Sequence, residues 1–475
     1  MAMRKRLAAM ILVVVCAAMM LTGTAFGAVQ PGVTAQSAIL TEASTGQVLY
    51  EKNADERIYP ASMTKVLTAL VATEYFQADD VIVVGREINE VSLDSSKAGH
   101  IVGESITFRN LLRGLMIPSG TDSAEVIACA VARKAQNNEN LGYEQCQQVF
   151  ADLINEKAAS LGCTGSHFAN PHGYHDENHY TTAADLAKIA AQAIQVQLIA
   201  DIAKETAYDG NSMENQNADG LITQQYHWTG HNMLIENNEY AYPYATGLKT
   251  GFTDQAGDCV LGTAQKDGIS LIAVICNSPD PGRWIDAATL FNYGFDNFSF
   301  ATVCRAGDVV GSVGLRGHRS ADGDLLDLVV QEDVTQFMDN ETAASITPQI
   351  SLTNEEYLYH GTGEEETDVR VKAPVTEGTE LGTVSFTDTA GNVVATAPVY
   401  AARTVEEAGI GERILDTLAS LGSHILTLQG LIVVAIIVVA IIVVVLIIIL
   451  KLRRRRYSRS RYHFSSRRGR GRRRF

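Results

Sequence analysis

The sequence predicts a mixed α/β domain with an antiparallel sheet and an inserted helical block, then a small β-rich domain and a C-terminal transmembrane helix. Three observations carry this expectation. Two strand-like segments near the start are separated from three more, between residues 245 and 279, by a long stretch of helical periodicity. From about residue 300, alternating Val and Leu with Gly, Asp and Thr replace the helical texture. Residues 431–450 are an uninterrupted apolar run of twenty.

Residues 1–27 read as a secretory signal peptide. Arg4, Lys5 and Arg6 precede an apolar stretch, and Ala25-Phe26-Gly27 places small residues where cleavage would leave Ala28 as the mature start. Residues 28–299 form the first predicted domain. Ser37-Ala38-Ile39-Leu40 and Gln47-Val48-Leu49-Tyr50 flank Thr45-Gly46 as a β-hairpin. Pro60-Ala61-Ser62-Met63-Thr64-Lys65 opens an apolar helix, and residues 80–96 read as short strands and polar loops. A helix over 106–116 stops at Pro118-Ser119-Gly120-Thr121, and a second runs over 123–133. An amphipathic helix covers 147–161, and Asn170-Pro171 supplies turn chemistry after it. Thr182-Ala183-Ala184-Asp185 approximates a capping box for a helix to about Gln197. Strands over 246–252, 259–264 and 269–276 follow, the last two joined by the hairpin turn Asp267-Gly268. A helix over 284–293 closes the domain. The β-rich domain spans 300–403, and residues 404–430 suit a juxtamembrane helix.

The formal charge of −16 hides an asymmetry: residues 451–475 carry thirteen Lys and Arg and no acid, which leaves −29 for the rest. A twenty-residue helix at 1.5 Å per residue matches a hydrocarbon core of about 30 Å. Arg453, Arg454, Arg455 and Arg456 follow it, so the positive-inside rule keeps the tail cytoplasmic and the body outside the cell membrane. The signal peptide demands the same orientation. Arg, Tyr and Phe interleave in the tail, which invites comparison with nucleic-acid-binding segments; a polybasic stretch lying on anionic lipid accounts for it without nucleic acid. Beyond Cys16 six cysteines remain, compatible with an oxidising compartment; they allow up to three bridges, and their spacing does not choose among the pairings.

The chemistry starts at Ser62 and Lys65. On a helix, positions three apart share a face, so the hydroxyl and the amine can meet. A serine needs an adjacent base to attack at neutral pH. Lysine serves as one only when burial or a nearby cation lowers its pKa from about 10.4. Ser62-x-x-Lys65 alone says little. Ser119-Gly120-Thr121 and then Lys249-Thr250-Gly251, in that order, complete the motif set of penicillin-recognising serine enzymes.

The likeness narrows further. Leu111-Leu112-Arg113-Gly114-Leu115-Met116-Ile117-Pro118-Ser119-Gly120, Phe168-Ala169-Asn170-Pro171-His172-Gly173, His179-Tyr180-Thr181-Thr182-Ala183 and Gly247-Leu248-Lys249-Thr250-Gly251-Phe252-Thr253 resemble the low-molecular-mass penicillin-binding proteins that are serine D-alanyl-D-alanine carboxypeptidases. Ala306-Gly307-Asp308-Val309-Val310-Gly311 and Lys372-Ala373-Pro374-Val375 resemble their β-rich C-terminal domain. The resemblance covers residues 33–405 and implies a penicillin-binding-protein/β-lactamase-like transpeptidase fold. It also implies, as substrate, peptidoglycan stem peptides ending in D-Ala-D-Ala, with β-lactams as inhibitors and no cofactor or metal. On it, Ser62 is the nucleophile, Lys65 the base and Ser119 a proton relay to the leaving D-Ala. Lys249, Thr250 and Arg283 receive the substrate carboxylate, with Gly251 and Thr121 beside the substrate. The backbone N–H groups of Ser62 and Phe252 form the oxyanion hole.

Thr121 departs from the family, which normally has Asn there. One hydroxyl replaces an amide that both donates and accepts, which implies reduced activity or altered preference. Two alternatives stay open: a β-lactamase, which shares the motifs, and a catalytically weak penicillin-binding receptor. His167, His172, His175 and His179 fall within thirteen residues, but their spacing matches no compact zinc motif.

Overall fold

The computed structural model describes residues 30–213, 219–361, 369–411, 414 and 436–451. The predicted signal peptide, most of the juxtamembrane segment and nearly all of the basic tail lie outside the described residues. Of the predicted spanning run, residues 436–450 are helical with exposed side chains, and the helix continues to Lys451. Among the described residues no helix is long and apolar enough to cross a membrane. The chain divides into two compact units, Met1–Ala301 with Gln336–Ser345, and Thr302–Thr335 with Ile346–Phe475.

In the first unit, strands β1 (Ser37–Glu42) and β2 (Val48–Lys52) precede helix α1 (Thr64–Ala72). Short strands β3 (Val81–Val83) and β4 (Ser105–Thr107) lead to α2 (Phe108–Met116), α3 (Thr121–Ala135), α4 (Tyr143–Ser160), α5 (Ala183–Ala193) and α6 (Gln197–Ile202). A hairpin of β5 (Ala207–Asn211) and β6 (Gln225–Thr229) follows, then β7 (Ala245–Thr253), β8 (Gly257–Lys266), β9 (Ile269–Ser278) and α7 (Gly282–Asn297). The main sheet has the order β2-β1-β9-β8-β7 and is antiparallel throughout. The chain thus starts in mid-sheet, leaves for the helical block and returns at the far edge.

Side-chain alternation along the central strands divides the core into two layers. Cys259, Leu261, Ile272, Val274 and Cys276 face the helical block. Val260, Leu271, Ala273 and Ile275 face Trp284, Leu290 and Phe291 of α7. Burial on both faces explains why these strands read as unbroken apolar runs. All nine residues of helix α1 are buried, polar Thr64, Lys65 and Thr68 included, which places it at the centre of the block.

Local chemistry sets the ends. Asp267 and Gly268 have φ of +51° and +82°, the conformation that a two-residue hairpin of β8 and β9 requires. The Thr182 hydroxyl accepts the Asp185 N–H at 3.0 Å and starts α5. That helix ends at Ala193 rather than near Gln197, because Val196 adopts an extended conformation before α6. In the β5–β6 hairpin β6 alternates, burying Tyr226 and Trp228 between exposed polar residues, and β5 buries Tyr208.

The second unit is built on a mixed seven-stranded sheet. Leu326, Leu328, Val371, Leu381, Val384 and Val399 form its core.

Candidate active site

Ser62 lies in a 3₁₀ turn, Ala61–Met63, that runs directly into α1. Ala61 has φ +47°, a conformation unfavourable for a residue with a Cβ, so the turn is held by its surroundings. Those surroundings come from the loop carrying Asn170, Pro171, His172 and Gly173. Asn170 Oδ1 accepts the Gly173 N–H at 2.7 Å and folds the loop back on itself. A Cβ on Gly173 would stand 1.7 Å from the Ala61 carbonyl oxygen, so only glycine fits there. The Ala169 N–H donates to His179 Nδ1 at 3.0 Å. The proton of the neutral ring therefore sits on Nε2 and is donated to Thr64 Oγ1 at 2.8 Å. Thr64 in turn donates to the Ala61 carbonyl at 2.9 Å. Burial holds the His179 pKa down to about 3, so this chain of bonds stays in one tautomer across the neutral range.

Lys65 Nζ lies 2.9 Å from Ser62 Oγ and donates to the His172 carbonyl at 3.0 Å. The side chain is 1% exposed. Burial, and next the positive charge of Lys249, push its pKa well below the usual lysine value, while Asp122 and Glu125 pull it upward. A lysine so placed gives up its proton more readily than a free one and is within reach of the Ser62 proton.

Ser119 closes the turn between α2 and α3 with φ +59°. Gly120 N–H donates to the Gly114 carbonyl and Thr121 N–H to the Ser96 carbonyl, both at 2.9 Å, fixing the turn from two sides. Ser119 Oγ is buried and has no hydrogen-bond partner among the described residues. A buried hydroxyl without a partner is costly.

Strand β7 forms the opposite wall as an edge strand of the sheet. Gly251 lets it approach the nucleophile turn: a Cβ there would meet the Pro60 oxygen at 3.1 Å and Ala61 Cβ at 3.3 Å. Lys249, 2% exposed, lies beneath the site, donates to the Thr250 carbonyl at 3.0 Å and has its pKa pushed by burial to about 7. A cleft of about 670 Å³ brings Ser62, Lys65, Ser119 and Thr121 together with Thr250, Gly251, Phe252 and Arg283. Lys249 is absent from that lining; it lines a smaller cavity behind Thr250. Arg283 reaches the cleft with Nη1 held by Asp258 Oδ1 at 2.6 Å and with Nε buried and unpartnered among the described residues.

Two acids near Lys65 carry more than their sequence positions suggest. Asp122, readable as a helix-start acid, accepts the N–H groups of Ala98, Gly99 and His100 at 2.7, 2.7 and 3.1 Å and so carries the loop that bears Ser96. Glu125, 3% exposed, has no sequence signal at all; it meets His172 Nε2 at 3.1 Å and accepts the Gln147 amide at 2.7 Å. His167 and His175 stand apart from these contacts. Among the described residues no cluster of His, Cys, Asp or Glu is placed to hold a metal ion. All six described cysteines are buried and unpaired.

The family model for D-alanyl-D-alanine carboxypeptidase (peptidase S11) matches residues 24–280. The chain belongs to the D-alanyl-D-alanine carboxypeptidase family. It is a serine-type carboxypeptidase, and residues 298–407 match the penicillin-binding protein 5 C-terminal domain. This carboxypeptidase is 27% identical to D-alanyl-D-alanine carboxypeptidase DacF of Bacillus subtilis, over 79% of its own length and 87% of the relative's. It is 30% identical to the D-alanyl-D-alanine carboxypeptidase of a Streptomyces strain, over 56% and 89%. Among solved structures, penicillin binding protein 5 from Haemophilus influenzae superposes with a TM-score of 0.56 at 23% identity, over 80% of this chain and all of that one, which shows the shared fold. The carboxypeptidase DacD from Francisella tularensis shows the same fold, with a TM-score of 0.59 at 20% identity, over 81% and 98%.

Proposed function

We propose that this carboxypeptidase removes the terminal D-alanine from peptidoglycan stem peptides through an acyl-enzyme on Ser62, and that β-lactams inhibit it by acylating the same serine. The observation that carries this is the 2.9 Å contact between Ser62 Oγ and a buried Lys65 Nζ whose pKa is depressed. Lys65 takes the Ser62 proton as Oγ attacks the carbonyl carbon of the penultimate D-Ala. The oxyanion faces the Ser62 and Phe252 N–H groups. The C–N bond breaks, and Lys65 passes the proton it took through Ser119 to the departing amine. Water then attacks the ester as Lys65 takes a proton from it, the bond to Ser62 Oγ breaks, and Lys65 gives that proton to Ser62 Oγ. Thr250 and Arg283 receive the terminal carboxylate, with the Lys249 charge beneath them.

Thr121 at the middle motif gives this enzyme a lower rate or a different peptide preference than an asparagine would. The apolar run at residues 431–450 anchors the protein in the cell membrane with the catalytic unit outside, and the Arg-rich tail lies on anionic lipid at the cytoplasmic face.

The test is D-alanine release from a short peptide ending in Lys-D-Ala-D-Ala, comparing native protein with Ser62→Ala, with and without chelator. Release that vanishes in Ser62→Ala and ignores chelator supports the mechanism. Release that survives the substitution refutes it. Protease protection of a tag placed after residue 475 in sealed vesicles tests the orientation.

A further inference from the structure

Glu125 is a buried carboxylate one helical turn beyond Thr121, and the catalytic motifs make no use of it. We infer that it is a positioning residue for the proposed base: it holds His172 so that the His172 carbonyl receives Lys65 Nζ, and it places the negative charge that sets how readily Lys65 gives up its proton. This rests on the acyl-enzyme reading above.

The geometry is a relay of three contacts. The Tyr174 N–H donates to His172 Nδ1 at 3.0 Å, so the neutral ring carries its proton on Nε2. That proton points at Glu125 Oε1, 3.1 Å away. At the other end of the same residue the His172 carbonyl accepts Lys65 Nζ at 3.0 Å. Glu125 Oε2 accepts the Gln147 amide at 2.7 Å, and Tyr143 of α4 hydrogen-bonds the same carboxylate. These side-chain donors are neutral at pH 7, since burial keeps His172 below the usual histidine pKa. The carboxylate charge is therefore not cancelled where it sits.

The charged and titratable groups around Lys65 are Lys249 on β7, Asp122 and Glu125 on α3, and His172 on the adjoining loop. Asp122 is spread over several backbone N–H donors. Glu125 is the second acid acting on Lys65, after Asp122, and the one joined to it through His172, whose carbonyl receives Lys65 Nζ. Its presence favours the protonated lysine and so places the lower pH limit of activity.

The experiment measures kcat/KM for D-alanine release against pH on the full chain, for native, Glu125→Gln, Glu125→Asp and Ser62→Ala. Glutamine keeps an acceptor for His172 Nε2–H and loses the charge. The expected result is an acid limb shifted down by about one pH unit in Glu125→Gln, with KM near native, and an unshifted limb in Glu125→Asp. A Glu125→Gln profile that superimposes on the native one, or falls evenly at every pH, overturns the inference. So does a Glu125→Asp limb that moves as far as the glutamine one. If Ser62→Ala remains active, the acyl-enzyme reading fails and this one with it; if Ser62→Ala is dead and the limbs coincide, only this one fails.

Discussion

Gly173→Ala tests how the nucleophile is held. The added Cβ would stand 1.7 Å from the Ala61 oxygen, 2.3 Å from the Ala61 carbonyl carbon and 2.9 Å from Thr64 Oγ1. The Ala61 carbonyl immediately precedes Ser62, so the turn has to open by more than 1 Å before that contact reaches the ~3.0 Å that real Cβ atoms tolerate. Two costs follow. The left-handed backbone at φ +84° costs a residue with a Cβ ~1–2 kcal/mol. Displacing packed backbone costs ~1–3 kcal/mol more. At a few degrees per kcal/mol in a unit of this size, the melting temperature falls by roughly 5–15 °C. A displacement near 1 Å at the reacting atom costs about 10²-fold in rate. Gly162→Ala is the control: it has φ +74° and nothing within 4 Å of its Cβ, so it carries the backbone cost alone. The assays are thermal unfolding by circular dichroism and D-alanine release. A Gly173→Ala protein that melts no lower than Gly162→Ala and releases D-alanine at the native rate refutes the reasoning.

Three further expectations concern the site. Ser119→Ala removes a hydroxyl that bonds nothing among the described residues, so stability changes by less than about 0.5 kcal/mol while kcat falls by about 10²–10⁴-fold; equal losses in both would contradict a proton-relay role. Thr121→Asn leaves the backbone bond to Ser96 in place and should raise kcat/KM toward the peptide; a variant no faster than native removes Thr121 as the cause of any weakness. Lys249 titrates near 7 when folded and near 10.4 when unfolded. Between those values the unfolded chain binds more protons, so native stability rises with pH, by about 1.4 kcal/mol per unit from this group. Lys249→Met should therefore be more stable than native at pH 7, with the difference shrinking towards pH 9. A pH-independent difference would show that Lys249 is not held down by burial.

The sequence by itself determined the parts of this protein that depend on neighbours along the chain. Ser62 and Lys65 are three apart, and a single helical turn is enough to bring Oγ within 2.9 Å of Nζ. The Asp267-Gly268 turn, the Thr182 cap and the apolar runs of β8 and β9 are equally local, and each is legible. The apolar run after Lys65 is legible as a helix, but only the packed structure shows that all nine residues of α1 are buried. Only the tertiary structure decided what lies between such segments. Glu125 reads in sequence as one more acid on a helix; burial against His172 and Gln147 is what gives its charge consequence. Asp122 is legible as a helix-start acid, but the backbone donors of residues 98–100 come from a loop more than twenty residues earlier. The β5–β6 hairpin carries a short signal, the alternation of Tyr226 and Trp228 in β6, but the partners that hold those side chains, Glu104 and the Ala98 carbonyl, lie far back along the chain. Lys249 is legible as a strand residue but not in depth: alternation fixes which face a side chain takes, whereas the approach of Gly251 to the Pro60–Ala61 backbone decides how deeply that face is sealed.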